Sequence, residues 1–284
     1  MFWNLLIIEN TKTLRRPMLW IELLFLALLI VALFAAMSAT SVHNANENIS
    51  IEEQEALRAG VAWPGGLLQA LGMASGSGLG GLLIVILSGA ITAQEYTWRT
   101  MQFWLSRGVS RSTLLAAKAT AMLVPIAMIV ATALLVGGTV SGVFTLLLDG
   151  SLHAEQVDPG ALLLSLLRTA YSIFPYAGLA FLLGIATRST AASIGGALTY
   201  LLLLENLLVQ GLALLGGVAA KASACLPGSL ASALLAQNKV TSNVAAAQAA
   251  DPWLASAAAL GIAAWTVAFI AAARLIFRRQ DLNE

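Results

Sequence analysis

The chain has 284 residues, 59% of them hydrophobic and 10% charged, with a formal net charge of +1. A soluble domain carries about 25% charged residues, so this balance excludes an ordinary soluble protein and points to a polytopic membrane protein; nothing in the charge calls for nucleic acid. A single cysteine, Cys225, excludes an internal disulfide, and neither histidine sits in a metal-ligand pattern.

In chain order, residues 2–16 place Trp3, Ile7 and Leu14 on one helical face, with Lys12 and Arg15 turned away from it. That pattern suits an amphipathic helix lying in the membrane interface; a frayed terminus is the plainer alternative. Residues 18–37 form a first span, long enough to cross the hydrocarbon core and longer than the apolar core of a signal peptide. Glu22 lies near its inner end. Residues 38–63 are polar and acidic, an outer loop with a short helix expected around Glu52 to Arg58. Asn48-Ile49-Ser50 matches a glycosylation pattern that arises easily by chance.

Span two is expected over residues 67–92. Its Gly76-Ser77-Gly78-Leu79-Gly80-Gly81 run lacks the lysine and hydroxyl of a phosphate loop, so it reads as a close helix-packing surface. A polar stretch at 94–111 follows, with Arg99, Arg107 and Arg111, one carboxylate (Glu95), Trp98 and Trp104. It is longer than a plain connector between membrane helices needs to be. Span three covers 114–136 with a kink at Pro125. Residues 137–160 make a second outer loop holding Asp149, His153, Glu155 and Asp158. Span four covers 161–186 with Pro175 inside, a tight turn follows at Arg188-Ser189-Thr190, and span five covers 191–215. Residues 216–252 are alanine-rich and broken at Cys225-Leu226-Pro227-Gly228. They fit either two short helices over the outer face or a shallow re-entrant hairpin. Span six covers 253–276 and ends in a charged tail.

Lys and Arg counts in the loops set the orientation. One side collects Lys12, Arg15, Arg16, Arg99, Arg107, Arg111, Lys118, Arg188, Arg274, Arg278 and Arg279, and the other has Arg58, Lys221 and Lys239. The expectation is an all-α membrane protein: one transmembrane domain over residues 1–284, six transmembrane helices, and both termini cytoplasmic.

The polar stretch resembles a pattern of the permease subunits of type-2 ABC exporters, the ABC-2 family. The pattern is Glu, three residues, Gly-Thr, an apolar run, Ser, any residue, Pro-Val-Ser-Arg, and Lys seven residues on. Glu95, Thr100, Met101, Trp104, Leu105, Ser106, Val109, Ser110, Arg111 and Lys118 occupy its positions; Arg99 replaces the glycine and Gly108 the proline. The order of interfacial helix, two spans, structured inner loop and four further spans is also similar. The resemblance implies that residues 94–111 form a coupling helix seated on a separate cytoplasmic ABC ATPase, itself a dimer, which carries the ATP and magnesium. No cofactor is then bound by this chain. It further implies a second permease subunit, in a homodimer or heterodimer, a substrate path lined partly by spans two and five, and a place in a bacterial cell membrane. Phe103 and Trp104 beside Arg99 and Arg107 make an aromatic and basic surface of the kind enriched in interface anchors; a helix held at lipid headgroups is the plainer reading.

Three functions compete: the membrane half of an ATP-driven exporter, a non-transporting adaptor that passes ATPase motion to an outer partner, and an intramembrane enzyme. The outer loops are short for an adaptor, and no nucleophile with a paired base supports an enzyme. On span five, Thr199, Asn206 and Gln210 share a face with Gly195, either lining a path at a dimer seam or holding helices together. Arg168 and Glu205 both lie within spans, at similar calculated depths on antiparallel neighbours, and are expected to form a buried ion pair. A cargo site at Arg168, or its snorkelling to headgroups, are the alternatives.

Overall fold

The computed structural model describes residues 2–43, 58–98, 100–150, 157–240 and 252–280, and among these every regular element is a helix. The elements are α1 (Phe2–Leu14), α2 (Pro17–His43), α3 (Gly65–Met73), α4 (Leu79–Thr97), α5 (Thr100–Ser106), α6 (Arg111–Ala121), α7 (Leu123–Asp149), α8 (Pro159–Thr187), α9 (Thr190–Thr199), a π-helical turn (Tyr200–Leu204), α10 (Glu205–Leu215), α11 (Gly217–Ser223), α12 (Pro227–Leu235) and α13 (Pro252–Arg279). Among the described residues six paths are long and apolar enough to cross a membrane: α2, α4, α6–α7, α8, α9–α10 and α13. Most of the short helix expected at Glu52 to Arg58 lies outside the described residues.

Helix α8 is the central post. It packs against α4, α9, α12 and α13, and its inward residues Ile173, Tyr176, Ala180, Phe181 and Ile185 are all buried. Small residues bring the neighbouring helices close, as expected where lipid supplies no hydrophobic drive between helices. Ser88 of α4 donates to the Ala177 carbonyl at 3.0 Å and Ser193 of α9 to the Ala180 carbonyl at 2.9 Å.

The glycine-rich run proves to be a break in span two between α3 and α4. Its Gly76 N–H donates to Ser172 Oγ at 2.9 Å, and a Cβ at that position would lie 2.0 Å from the Ser172 carbonyl oxygen. Backbone-on-backbone contact of this kind admits only glycine. A second departure concerns Pro125. The helix breaks at Met122, between α6 and α7, rather than at the proline itself. Proline lacks an N–H for the carbonyl four residues back and its ring strikes that carbonyl, so the disturbance falls at Ala121 and Met122. Helix α7 then runs on to Asp149, well into what the sequence marked as loop.

Helices α11 and α12 are bent by 68°. The N-terminus of α12 meets Glu205 at the first residue of α10, about 15 Å of helix rise back from the end of α10. The segment therefore doubles back into the helical layer. Three apolar clusters hold the whole. The largest joins α2, α3, α4, α7, α8 and α9; a second gathers Leu5, Met101, Val109, Leu114, Phe181, Ile185 and Phe277 at the end bearing both termini; a third joins α12 to α13.

Candidate functional site

The end of the bundle bearing both termini is where the polar stretch folds, and its centre is a closed ring of four charges. Lys12 Nζ lies 2.9 Å from Glu9 Oε1 and 3.3 Å from Glu95 Oε1. Lys118 Nζ lies 3.0 Å from Glu9 Oε2 and also pairs with Glu95 Oε2. Each lysine thus meets both carboxylates. The ring joins α1, α4 and α6, and Glu9, Glu95 and Lys118 are buried. Burial works to raise the Glu9 carboxyl, and the charges of Lys118 and Lys12 outweigh it, leaving the group below its ordinary value of 4.5. Burial likewise works to lower the Lys12 ammonium, and Glu95 and Glu9 outweigh it, leaving it above 10.5.

Around the ring, hydrogen bonds tie the stretch to distant chain. Arg16 donates to Gln94 Oε1 at 2.7 Å. Arg111 donates to the carbonyls of Phe277, Arg278 and Gln280 at 3.0, 3.2 and 2.8 Å, satisfying the orphan acceptors that end α13. Tyr96 donates to Gln280 Oε1 at 2.9 Å, and Gln280 Nε2 donates to the Ile185 carbonyl near the end of α8 at 2.7 Å. Gly108 takes a positive φ of 77°, a backbone state glycine permits and proline forbids. The family's proline and this glycine are therefore not equivalent, although Ser110 still caps α6, accepting from the Thr113 N–H at 3.2 Å.

The expected coupling residues divide by depth. Glu95, Met101 and Val109 are buried, Thr100, Trp104, Leu105 and Arg111 half-buried, and Phe103, Ser106, Arg107 and Ser110 exposed. Arg99 lies outside the described residues. Thr100 donates to the Glu95 carbonyl at 3.4 Å and Ser106 to the Phe103 carbonyl at 2.9 Å. The Arg107 guanidinium sits 4.1 Å from the centre of the Phe103 ring, which meets Trp104 edge-on at 5.7 Å. Sequence reasoning missed Glu9, Lys12 and Gln280 as partners of this stretch. Only the Glu9–Lys12 spacing, neighbours one turn apart on a helix, hinted at any of them.

The Arg168–Glu205 ion pair is not formed. Arg168 donates to the Gln237 carbonyl at 2.6 Å and to Gln237 Oε1 at 3.4 Å. Glu205 accepts from Tyr176 Oη at 2.9 Å and from the Gly228 N–H. The expected pairing takes spans four and five as regular antiparallel α-helices. The π-helical turn at Tyr200–Leu204 changes the phase just before Glu205, and the doubled-back chain supplies both residues with nearer partners. Thr199, Asn206, Gln210 and Gly195 are exposed on the free face of span five, the least buried of the six.

Six apolar helical paths with a tightly anchored polar platform at one end define a multi-pass membrane protein. The family model of the ABC-2 family transporter proteins matches residues 3–282, and the chain belongs to that family, as a permease membrane domain. Among curated proteins no match was found.

Proposed function

We propose that the chain is the permease subunit of an ATP-driven exporter, and that residues 94–111 couple it to a separate cytoplasmic ABC ATPase. The observation that carries this reading is the division by depth in α5. Phe103, Ser106 and Arg107 point away from the body, while Met101 and Val109 of the same stretch are buried and Glu95 is held in the charge ring. A push on the exposed side therefore reaches α1, α4 and α6 through short ionic contacts, and α8 and α13 through Tyr96, Gln280 and Arg111. A helix merely resting on headgroups needs no such anchoring.

In this reading ATP and magnesium belong to the ATPase dimer. The free face of span five meets a second permease subunit, identical or homologous, and Thr199, Asn206 and Gln210 line the path at the seam. The termini and α5 lie on the cytoplasmic side of a bacterial cell membrane. Helix α1 turns Leu5, Glu9 and Thr13 to the protein and leaves Trp3, Ile7 and Leu14 exposed, the apolar-outward arrangement of a helix lying in the interface.

Joint replacement Phe103→Ala, Trp104→Ala and Arg107→Ala tests the coupling. The permease is expected to insert normally, while co-purification of the ATPase falls by tenfold or more, as loss of an aromatic and arginine hot spot does (about 1.4 kcal/mol per tenfold). Undiminished co-purification and transport would return α5 to the membrane surface.

A further inference from the structure

Three irregularities in otherwise regular spans converge on one cavity. They are the break between α3 and α4, the π-helical turn before α10, and the N-terminus of the doubled-back helix α12. The cavity measures about 320 Å³ and is lined among others by Ser77, Tyr176, Glu205, Asn206, Gly228 and Ser229. No basic side chain is among its lining residues. Interrupted helices that abut a polar cavity are a recurrent way for membrane transporters to present backbone and side-chain groups to cargo.

Glu205 is the charged group of this cavity, and it is only 6% exposed. Its two oxygens both accept, one from Tyr176 Oη and the other from the Gly228 N–H, bonds that favour the ionised carboxylate. Gly228 makes this approach possible, because a Cβ there would lie 3.0 Å from Glu205 Oε1 and 3.1 Å from Tyr176 Oη. No lysine, arginine or histidine among the described residues forms an ion pair with Glu205. The carboxylate is thus oriented, buried beside a cavity, and without a counter-charge from the protein. Ser77, Asn206 and Ser229 add hydroxyl and amide oxygens around it, and Asn206 belongs to the exposed face of span five.

We infer that this cavity receives the ammonium group of an organic cation, with Glu205 as its counter-ion and the hydroxyl and amide oxygens accepting the remaining N–H bonds. A hard metal ion fits less well, since calcium takes about six to eight oxygen ligands and one carboxylate is present. The volume lies at the lower end of ligand pockets, roughly 300 to 1,000 Å³, which suits a small amine or the amine-bearing end of a larger molecule. The inference rests on the permease reading and narrows its cargo to amine-bearing cations.

The test uses the purified permease in nanodiscs, with radiolabelled phenethylamine and its neutral counterpart phenethyl alcohol as probes and empty nanodiscs as the partition control. The wild-type protein is expected to bind the amine at least tenfold more tightly than the alcohol. Glu205→Gln preserves shape and the oxygen that accepts from the Gly228 N–H, while its amide nitrogen donates to Tyr176 Oη, and it is expected to abolish that preference. Should Glu205→Gln not fold, Ser77→Phe, which fills the cavity and leaves the carboxylate in place, is expected to block amine binding. Equal binding of the two probes to the wild type, or an undiminished preference in the variant that folds, overturns the inference. ATPase co-purification with the wild type is scored separately. A permease that captures its ATPase and shows no amine preference sinks the cation site alone, whereas loss of capture counts against the exporter reading.

Discussion

At the scale of single residues, the four-charge ring is sensitive to substitution because three of its members are buried. A buried ion pair adds little against a well-packed apolar replacement, yet removing one partner from it costs about 3–5 kcal/mol because the other charge stays buried and unmatched. Lys118→Met leaves Glu9 and Glu95 with Lys12 alone, and it is expected to destabilise the protein by about that amount, read as the unfolding midpoint in detergent. Adding Glu9→Gln restores charge balance between Lys12 and Glu95 and should recover part of the loss; no recovery would mean that packing rather than charge matters at Lys118. The ring also sets a pH window. Glu9 titrates below its unfolded value of 4.5, so its contribution is present above that pH and is lost as pH falls through the lower folded value. Lys12 titrates above its unfolded 10.5, so its contribution is present below that pH and is lost as pH rises through the higher folded value. Thermal stability should therefore fall in acid below pH 4.5, and Glu9→Gln should flatten that acid limb; an unchanged limb in the variant would assign it to other carboxylates.

At the scale of elements, span five stands apart. Helices α4 and α8 are mostly buried within the protomer, whereas the π-helical turn and α10 direct Leu202, Leu203, Leu207, Leu208 and the polar Asn206 and Gln210 outward. Apolar outward faces are ordinary in lipid, but glutamine and asparagine within a span are costly there unless they meet a partner. A second permease subunit would provide one. With Cys225 replaced by serine, Gln210→Cys is expected to cross-link to the opposing subunit under mild oxidation. Leu163→Cys, on an exposed part of α8, should not. Cross-linking of both, or of neither, would place the seam elsewhere.

At the scale of the whole molecule, the polar platform lies at the Thr187 end of α8 and Asp158 at the other, and the charge balance of the loops predicts that the platform faces the cytoplasm. Cys225 lies between α11 and α12, its carbonyl accepting from Trp265 Nε1 midway along α13 at 2.8 Å. In intact cells, in a Cys225→Ser background, a membrane-impermeant maleimide should label Glu155→Cys, while Ser106→Cys should stay shielded until the membrane is opened. Labelling of Ser106→Cys from outside would invert the topology.

Six apolar runs, their order, and the asymmetry of lysine and arginine could all be read in the chain, because a bilayer imposes length and hydrophobicity on each span separately. Those constraints act locally, so linear sequence carries them. The small-residue character of Gly76 to Gly81 was legible for the same reason, and Glu95 and Lys118 stood out through the resemblance to a family pattern. Tertiary structure alone decided which buried polar groups meet. Glu9 and Lys12 are distant in sequence from Glu95 and Lys118, and nothing in any one segment announces the ring. Glu205 illustrates the point from the other side: a change of helical phase over five residues and a turn of chain past residue 225 gave it Tyr176 and Gly228 in place of Arg168. A buried charge must be satisfied, but its partner is whichever group the packing brings within about 3 Å, and packing is a property of the folded molecule.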